Sequence, residues 1–161
     1  MAKPAAQFIT PPNRVHDLKH PLFDEQAIAR ADSTLEALSD SLEDWLEQDI
    51  QRLQDARLAA ESAHWSTASL DVLMTAAHDL KGMGATYGFP LATRLAASLC
   101  RLIETDAGKA LAQSDPKLVC AHVDAIRAAV RERMRDADNP VARALLNTLE
   151  TSVASLGVAP V

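Results

Sequence analysis

The segment Ala77–Gly88 combines residue types that could carry out chemistry. A residue advances about 100° per position along a helix, so His78 is predicted to lie opposite Leu80 and to face solvent. An exposed imidazole is largely neutral near neutral pH and can act as a nucleophile without activation by a second residue. Lys81, one helical turn later, can bring its ammonium beside the ring, where it would stabilise an anionic group such as a phosphoryl group.

Two glycines in the same predicted helix are unfavourable choices, since each costs roughly 1 kcal/mol relative to alanine in a helix interior. Gly82 follows His78 at the spacing where a larger side chain would crowd the imidazole on the helix surface. This glycine is therefore predicted to let a partner approach. Gly84 lies on the predicted core stripe, where it is expected to permit close helix packing.

The run His78-Asp79-Leu80-Lys81-Gly82, with Gly88 ten residues after the histidine, resembles the signature of histidine phosphotransfer (HPt) domains. The order of the predicted helices extends this resemblance over residues 33–136. It implies that His78 accepts a phosphoryl group on Nε2 and donates it to an aspartate of a response-regulator receiver domain, in two-component signal transduction. It also implies that Lys81 steadies the phosphoryl group and that Gly82 gives access to His78.

The resemblance also implies the partners, which are a response-regulator receiver domain, a hybrid histidine kinase, or both. The receiver domain would supply Mg²⁺ and the aspartate. The sequence contains no Gly-rich nucleotide-binding loop and no acidic cluster at metal-ligand spacing, so we expect no autokinase activity and no cofactor of the chain's own. The protein is thus expected to be a phosphocarrier and not an enzyme. The direction of transfer and the choice between monomer and dimer stay open.

One position departs from the HPt pattern. Many HPt domains hold the histidine or its phosphoryl group with a polar side chain about 22 residues further along, and this chain has Cys100 there. Arg94, Ser98 or Arg101 could take the role if the register shifts, so it stays unassigned.

The docking surface for a partner is expected on the exposed side of the second and third bundle helices, around His78. Four apolar residues are candidates for a rim that closes around the phosphoryl group, namely Met74, Met83, Ala85 and Phe89.

Two other classes of function compete with phosphotransfer. A metal-binding helical bundle needs inward-facing Glu-x-x-His pairs, and Glu61 with His64 is the one match, beside a predicted helix end. The alternative is a non-catalytic interaction or dimerisation module derived from an HPt domain or from a histidine-kinase dimerisation domain.

The elements that position the motif follow from apolar spacing and helix caps. The first elements are a short helix at Asp24–Ala31, helix A at 33–62 behind a Ser33/Glu36 capping box, and helix B at 68–85 behind the capping run His64–Thr67. Helix C at 90–106, a turn at 107–114 and helix D from Asp115-Pro116 to about Met134 follow. Asn139-Pro140 opens a last helix, whose apolar stripe is Val141, Leu145, Leu149 and Val153. Long amphipathic helices with short connections predict an all-α, antiparallel four-helix bundle with additional short N-terminal and C-terminal helices.

The composition limits the class of protein. The 161 residues allow one domain, and with 48% apolar but only 4% aromatic residues its core must be built from Leu, Ala, Val and Ile. A net charge of -6 argues against a broad grip on nucleic acid or anionic lipid. No apolar run reaches a membrane span and the N-terminus lacks the layout of a signal peptide, so we expect a cytoplasmic protein.

The predicted organisation has three parts. They are an N-terminal arm at 1–22, an HPt four-helix-bundle domain with flanking helices at 23–156, and a C-terminal tail at 157–161. Cys100 and Cys120 lie inside apolar patterns without CxxC spacing and are expected to be buried thiols.

Overall fold

The computed structural model of the chain describes residues 25–157, and every regular element in that range is an α-helix. The helices are α1 (Glu25–Ser62), α2 (Thr67–Met83), α3 (Pro90–Glu104), α4 (Asp106–Ser114), α5 (Lys117–Arg131) and α6 (Pro140–Ala154). This confirms the all-α prediction. A boundary between two compact units falls after Ser39, inside α1. The predicted arm at 1–22 and residues 158–161 of the predicted tail lie outside the described range.

α1 is one continuous helix, so the predicted break between a short helix and helix A is wrong. The sequence Ala31-Asp32-Ser33 contains neither glycine nor proline, and nothing there stops a helix that has already formed. Ser33 therefore lies inside the helix and not at an N-cap. The neighbouring Thr34 hydroxyl donates a hydrogen bond to the Arg30 carbonyl oxygen, at 2.8 Å, within the same helix. Asp24, the predicted first residue of the short helix, is outside the described range.

Side-chain caps mark the starts of three other helices. Ser66 and Asn139 accept hydrogen bonds from backbone amides of the following turns at 3.4 Å and 2.8 Å, as predicted for α2 and α6. Thr105 Oγ1 accepts from the Gly108 amide at 3.0 Å and caps α4, so the turn predicted at 107–114 is wrong. α4 buries only Gly108 and Ala112, and such a narrow apolar face leaves no clear helical period in the sequence.

α3 runs antiparallel to both α2 and α5. Lys109 of α4, the helix that directly follows α3, forms an ion pair with Asp71 near the start of α2, with 3.5 Å between Nζ and Oδ1. The Leu91 amide at the start of α3 donates to the Arg135 carbonyl oxygen, just after α5, at 2.8 Å. The end of α3 thus lies beside the beginning of α2, and the beginning of α3 lies beside the end of α5.

α1 in turn runs antiparallel to α5. Arg57 Nη1 lies 4.0 Å from the Cys120 sulfur near the start of α5, while Arg133 Nη1, just after α5, donates to Glu43 Oε1 at 3.1 Å. The later part of α1 therefore lies beside the start of α5. These pairings confirm the antiparallel four-helix bundle, which consists of α1, α2, α3 and α5.

α3 is the central helix, because it packs against α2, α4, α5 and α6. Nine of its residues are buried, namely Leu91, Ala92, Leu95, Ala96, Ser98, Leu99, Cys100, Leu102 and Ile103. The stripe of α6 differs from the predicted one at its start. Ala142 and Leu146 are buried there, whereas Val141 is 67% exposed.

One buried polar pair joins α3 to α5. The His122 ring is fully buried, and its Nδ1 lies 2.7 Å from the Leu118 carbonyl oxygen. A carbonyl only accepts, so Nδ1 carries the proton and Nε2 accepts from the Ser98 hydroxyl at 3.0 Å. Burial lowers the pKa of His122, and the bond to the Leu118 carbonyl opposes this effect.

Acid should therefore destabilise the bundle through His122. Its folded pKa lies below the ordinary value of 6.5, so the unfolded chain takes up the proton first as the pH falls. Above pH 6.5 the free energy of unfolding does not depend on the protonation of His122. Below pH 6.5 it decreases as the pH falls, by at most about 1.4 kcal/mol per pH unit. Urea unfolding between pH 7.5 and pH 5.5 measures the slope. His122→Gln should flatten it, and an unchanged slope in that variant would contradict the assignment.

Candidate functional site

His78 projects from α2 into solvent, as predicted. Four residues on the opposite side of the helix, Leu70, Leu73, Ala77 and Leu80, are fully buried and fix the rotation of α2 in the bundle. Within residues 25–157 the imidazole takes part in no hydrogen bond or ion pair, so both ring nitrogens are open to a partner.

Lys81 lies on the α3 side of His78 and is half-buried. Its charge acts on the Cys100 thiol of α3, where it opposes the effect of burial. Burial dominates and raises the pKa of Cys100 to about 11, so this residue is a neutral thiol at physiological pH. The ammonium of Lys81 is thus close enough to α3 for its charge to act on Cys100.

Two of the three alternatives for the unassigned polar role are engaged elsewhere. Ser98 is buried and bonded to His122 in α5. Arg94 donates to both carboxylate oxygens of Glu150 in α6, at 3.0 Å and 3.2 Å. Neither side chain faces His78, because each is directed to another helix. Arg101 is half-buried on α3.

Gly82, in the last turn of α2, and Gly84, which caps the helix, have different surroundings. Apart from its own helix backbone, a Cβ atom built on Gly82 would meet no atom of residues 25–157 within 4 Å, so packing in the described part of the chain does not require a glycine there. A Cβ on Gly84 would lie 2.8 Å from Thr93 Oγ1 and 3.1 Å from the Thr93 amide nitrogen. Gly84 therefore allows the close approach of α2 to α3, as predicted.

The connection after α2 corrects part of the predicted apolar rim. Gly88 has φ +81°, a conformation that suits glycine and ends the turn before α3. Phe89, predicted on the rim, is only 4% exposed and belongs to the core. The Arg135 guanidinium lies over its ring at 5.5 Å. Met83 is 39% exposed and lies beside His78, as a rim residue would.

The open depression beside His78 is formed on the α1 side and not on the α3 side. We name it the His78 groove, and its lining consists of Asp49, Arg52, His78, Asp79, Gly82, Met83 and Tyr87. Asp49, Arg52 and Tyr87 are not among the site residues predicted from the sequence. One signal was present, since Asp49 follows Leu46 and precedes Leu53 at spacings that place a carboxylate among the buried residues of α1.

Asp49 is the centre of a small polar network in this groove. It is 5% exposed, and its two oxygens are bound by different partners. The Tyr87 hydroxyl donates to Oδ2 at 2.8 Å, and the Arg52 guanidinium pairs with Oδ1. Partial burial is the main cause that raises the pKa of Tyr87, and the hydrogen bond to Asp49 raises it further. The hydroxyl therefore stays protonated and acts as the donor.

Comparison with known proteins identifies the family. The sequence model of the Hpt domain matches residues 37–156, which is about three quarters of the 161-residue chain. No curated protein and no solved structure is significantly similar to the chain. The chain belongs to the Hpt domain family, whose members carry phosphoryl groups in two-component phosphorelays and are phosphocarriers rather than enzymes.

Two further observations concern the described residues 25–157 alone. None of their helices is both long enough and apolar enough to cross a membrane. Their His, Cys, Asp and Glu side chains form no group of three or more that could hold a metal ion.

Proposed function

We propose that His78 is the residue that accepts and donates the phosphoryl group, in exchange with an aspartate of a response-regulator receiver domain or a hybrid histidine kinase. The observation that carries this proposal is the open imidazole on a rigid helix, beside a glycine that packing does not require. An exposed nucleophile held by a buried helix face is already oriented when a partner docks.

The transfer step balances without any acid or base from this chain. The lone pair of His78 Nε2 attacks the phosphorus of the partner's aspartyl phosphate. A nitrogen–phosphorus bond forms as the phosphorus–oxygen bond to the aspartate breaks, and the electron pair returns to the carboxylate. The proton on Nδ1 stays on the ring or passes to water according to the pH. The reverse step returns the phosphoryl group to an aspartate.

Lys81 and Gly82 have supporting roles in this proposal. The Lys81 ammonium approaches the phosphoryl oxygens from the α3 side as a point charge with three donors. Gly82 leaves the surface beside His78 open to the receiver domain. The receiver domain is expected to supply Mg²⁺, so the chain needs no cofactor of its own. The phosphoryl group comes from the partner, so the chain needs no autokinase activity. Because both kinds of partner act in the cytoplasm, the transfer is expected to take place there.

Replacing Lys81 by glutamine should shorten the lifetime of the phosphohistidine and slow its formation, each by about 3- to 10-fold, because a charge-assisted contact to the phosphoryl group is lost. Time courses of labelling and of label decay measure both effects. Lys117→Gln is the control, since Lys117 is 88% exposed at the start of α5 and pairs with Asp115. Equal lifetimes in wild type and Lys81→Gln would contradict the role.

The experiment that tests the proposed function is transfer of phosphoryl label from a set of phosphorylated receiver domains to the full chain. We expect label that is lost in acid, is stable in alkali, and maps to the peptide that contains His78. Label that is stable in acid or maps to another peptide would reject the proposal. Failure of every receiver domain, while the folded chain can be phosphorylated chemically, would favour the non-catalytic interaction module.

A further inference from the structure

We propose that Arg52 of α1 is a second cation for the phosphoryl group, held in place by Asp49 and Tyr87. This inference rests on the proposed function of His78 and adds a contact from the opposite side of the imidazole. Lys81 approaches from the α3 side, whereas Arg52 lines the His78 groove from the α1 side. The phosphoryl group would then lie between two cations that belong to different helices.

Arg52 has a fixed anchor in Asp49. Its partner Asp49 lies one turn earlier on α1, is buried, and is held in place by the Tyr87 hydroxyl at 2.8 Å. Tyr87 follows α2, so the network ties the arginine to the connection that begins six residues after His78. A guanidinium bound to an immobile carboxylate loses less conformational freedom when it binds a second anion.

Arg52 keeps N–H donors that the ion pair to Asp49 does not use. A guanidinium carries five N–H groups in a planar fork, and the ion pair to Asp49 uses one nitrogen, Nη2. The Arg52 side chain is 63% exposed, in contrast to 6% for the Asp49 side chain. The remaining donors are therefore accessible in the groove, and their geometry suits the oxygens of a phosphoryl group.

Two carboxylates lie in the groove beside His78. Asp79 is exposed and lines the same groove, so its carboxylate would repel an incoming phosphoryl dianion. Asp49 and Arg52 of α1 and Asp79 of α2 line this groove together with Tyr87. Against the two carboxylates of Asp49 and Asp79 the groove carries one positive charge, that of Arg52, and Lys81 from the α3 side brings the sum to zero. Loss of Arg52 would leave a net negative charge where the phosphoryl dianion has to bind.

The alternative is that Arg52 serves only as the counterion of buried Asp49. The two hypotheses predict different protonation behaviour for the phosphohistidine. A nearby guanidinium opposes the addition of a proton to the phosphohistidine, whether on the ring or on a phosphoryl oxygen. A structural counterion alters the stability of the bundle and leaves this protonation unchanged.

The test is a pH titration of the ³¹P chemical shift after phosphorylation of the full chain with phosphoramidate, which requires no protein partner. The signal of His78 is assigned by its loss in His78→Gln. We expect the titration midpoint of Arg52→Gln to lie about half a pH unit above that of wild type, as removal of a partly exposed charge predicts. Arg52→Lys should recover part of the shift because it restores the charge without the fork.

A matched control comes from α5. Arg127 forms the same kind of one-turn pair with Asp124, is 46% exposed, and does not line the His78 groove. Arg127→Gln should leave the midpoint at the wild-type value. Equal midpoints for Arg52→Gln and wild type, with both proteins folded, would overturn the inference while leaving His78 as the acceptor. A wild-type chain without any signal that depends on His78 would instead overturn the proposed function itself.

Discussion

Replacing His78 by glutamine should reduce phosphoryl transfer to the chain by about a thousandfold or more, to the background of the assay. An amide nitrogen cannot form the phosphorus–nitrogen bond, and no neighbouring group in the His78 groove is a histidine. Because His78 is exposed and unbonded within residues 25–157, the free energy of unfolding should change by less than about 0.5 kcal/mol. Labelling by a phosphorylated receiver domain and urea unfolding measure the two quantities.

His64 provides the control for this substitution. It is exposed, it precedes α2, and its φ of +52° is one that asparagine tolerates. His64→Asn should retain full labelling. Label that persists in His78→Gln and disappears in His64→Asn would move the acceptor to the connection between α1 and α2.

Gly82 and Gly84, at the end of α2, should respond to substitution by alanine with opposite changes in stability. Gly84→Ala forces a Cβ against Thr93 at 2.8–3.1 Å and should destabilise the bundle by about 1–3 kcal/mol. Gly82→Ala meets open space and should stabilise the bundle by about 0.5–1 kcal/mol, since alanine is the better helix former. Chemical denaturation of both variants measures the difference, and the same sign for both would contradict this account.

The same pair separates stability from transfer. Gly82→Ala is expected to slow transfer from a receiver domain although it makes the protein more stable, and Gly82→Leu should slow it further as the side chain grows. Labelling by phosphoramidate serves as the reference, because a small donor needs less room than a protein. A transfer rate that does not depend on the size of residue 82 would remove Gly82 from the docking surface.

Much of the fold could be predicted from the sequence because the signals are local. Caps at Ser66 and Asn139 and the apolar spacing of α2, α3 and α5 depend on residues within a few positions of each other. The continuous α1 and the short α4 were missed for a physical reason. A capping pattern such as Ser33/Glu36 competes with the cooperativity of an existing helix, which favours continuation.

The candidate site also contains residues that local spacing predicts and residues that it does not. His78, Lys81 and Gly82 lie within one turn of a helix, so their spacing alone places them together. Arg52 and Asp49 reach the groove through the packing of α1, which depends on contacts between residues far apart in the chain. The local sequence indicated this part of the site only through Asp49, an acidic residue that lies among the apolar residues of α1.

The bond between His122 and Ser98 has a consequence for the uniqueness of the native state. A seam of leucine and alanine carries little shape information, and helices in such seams can slide or rotate into alternative alignments of similar energy. A buried donor and acceptor on facing helices are satisfied in one alignment alone, as polar residues in coiled-coil seams are. Substituting both by apolar residues of similar size should therefore retain helicity while broadening the NMR signals of α3 and α5.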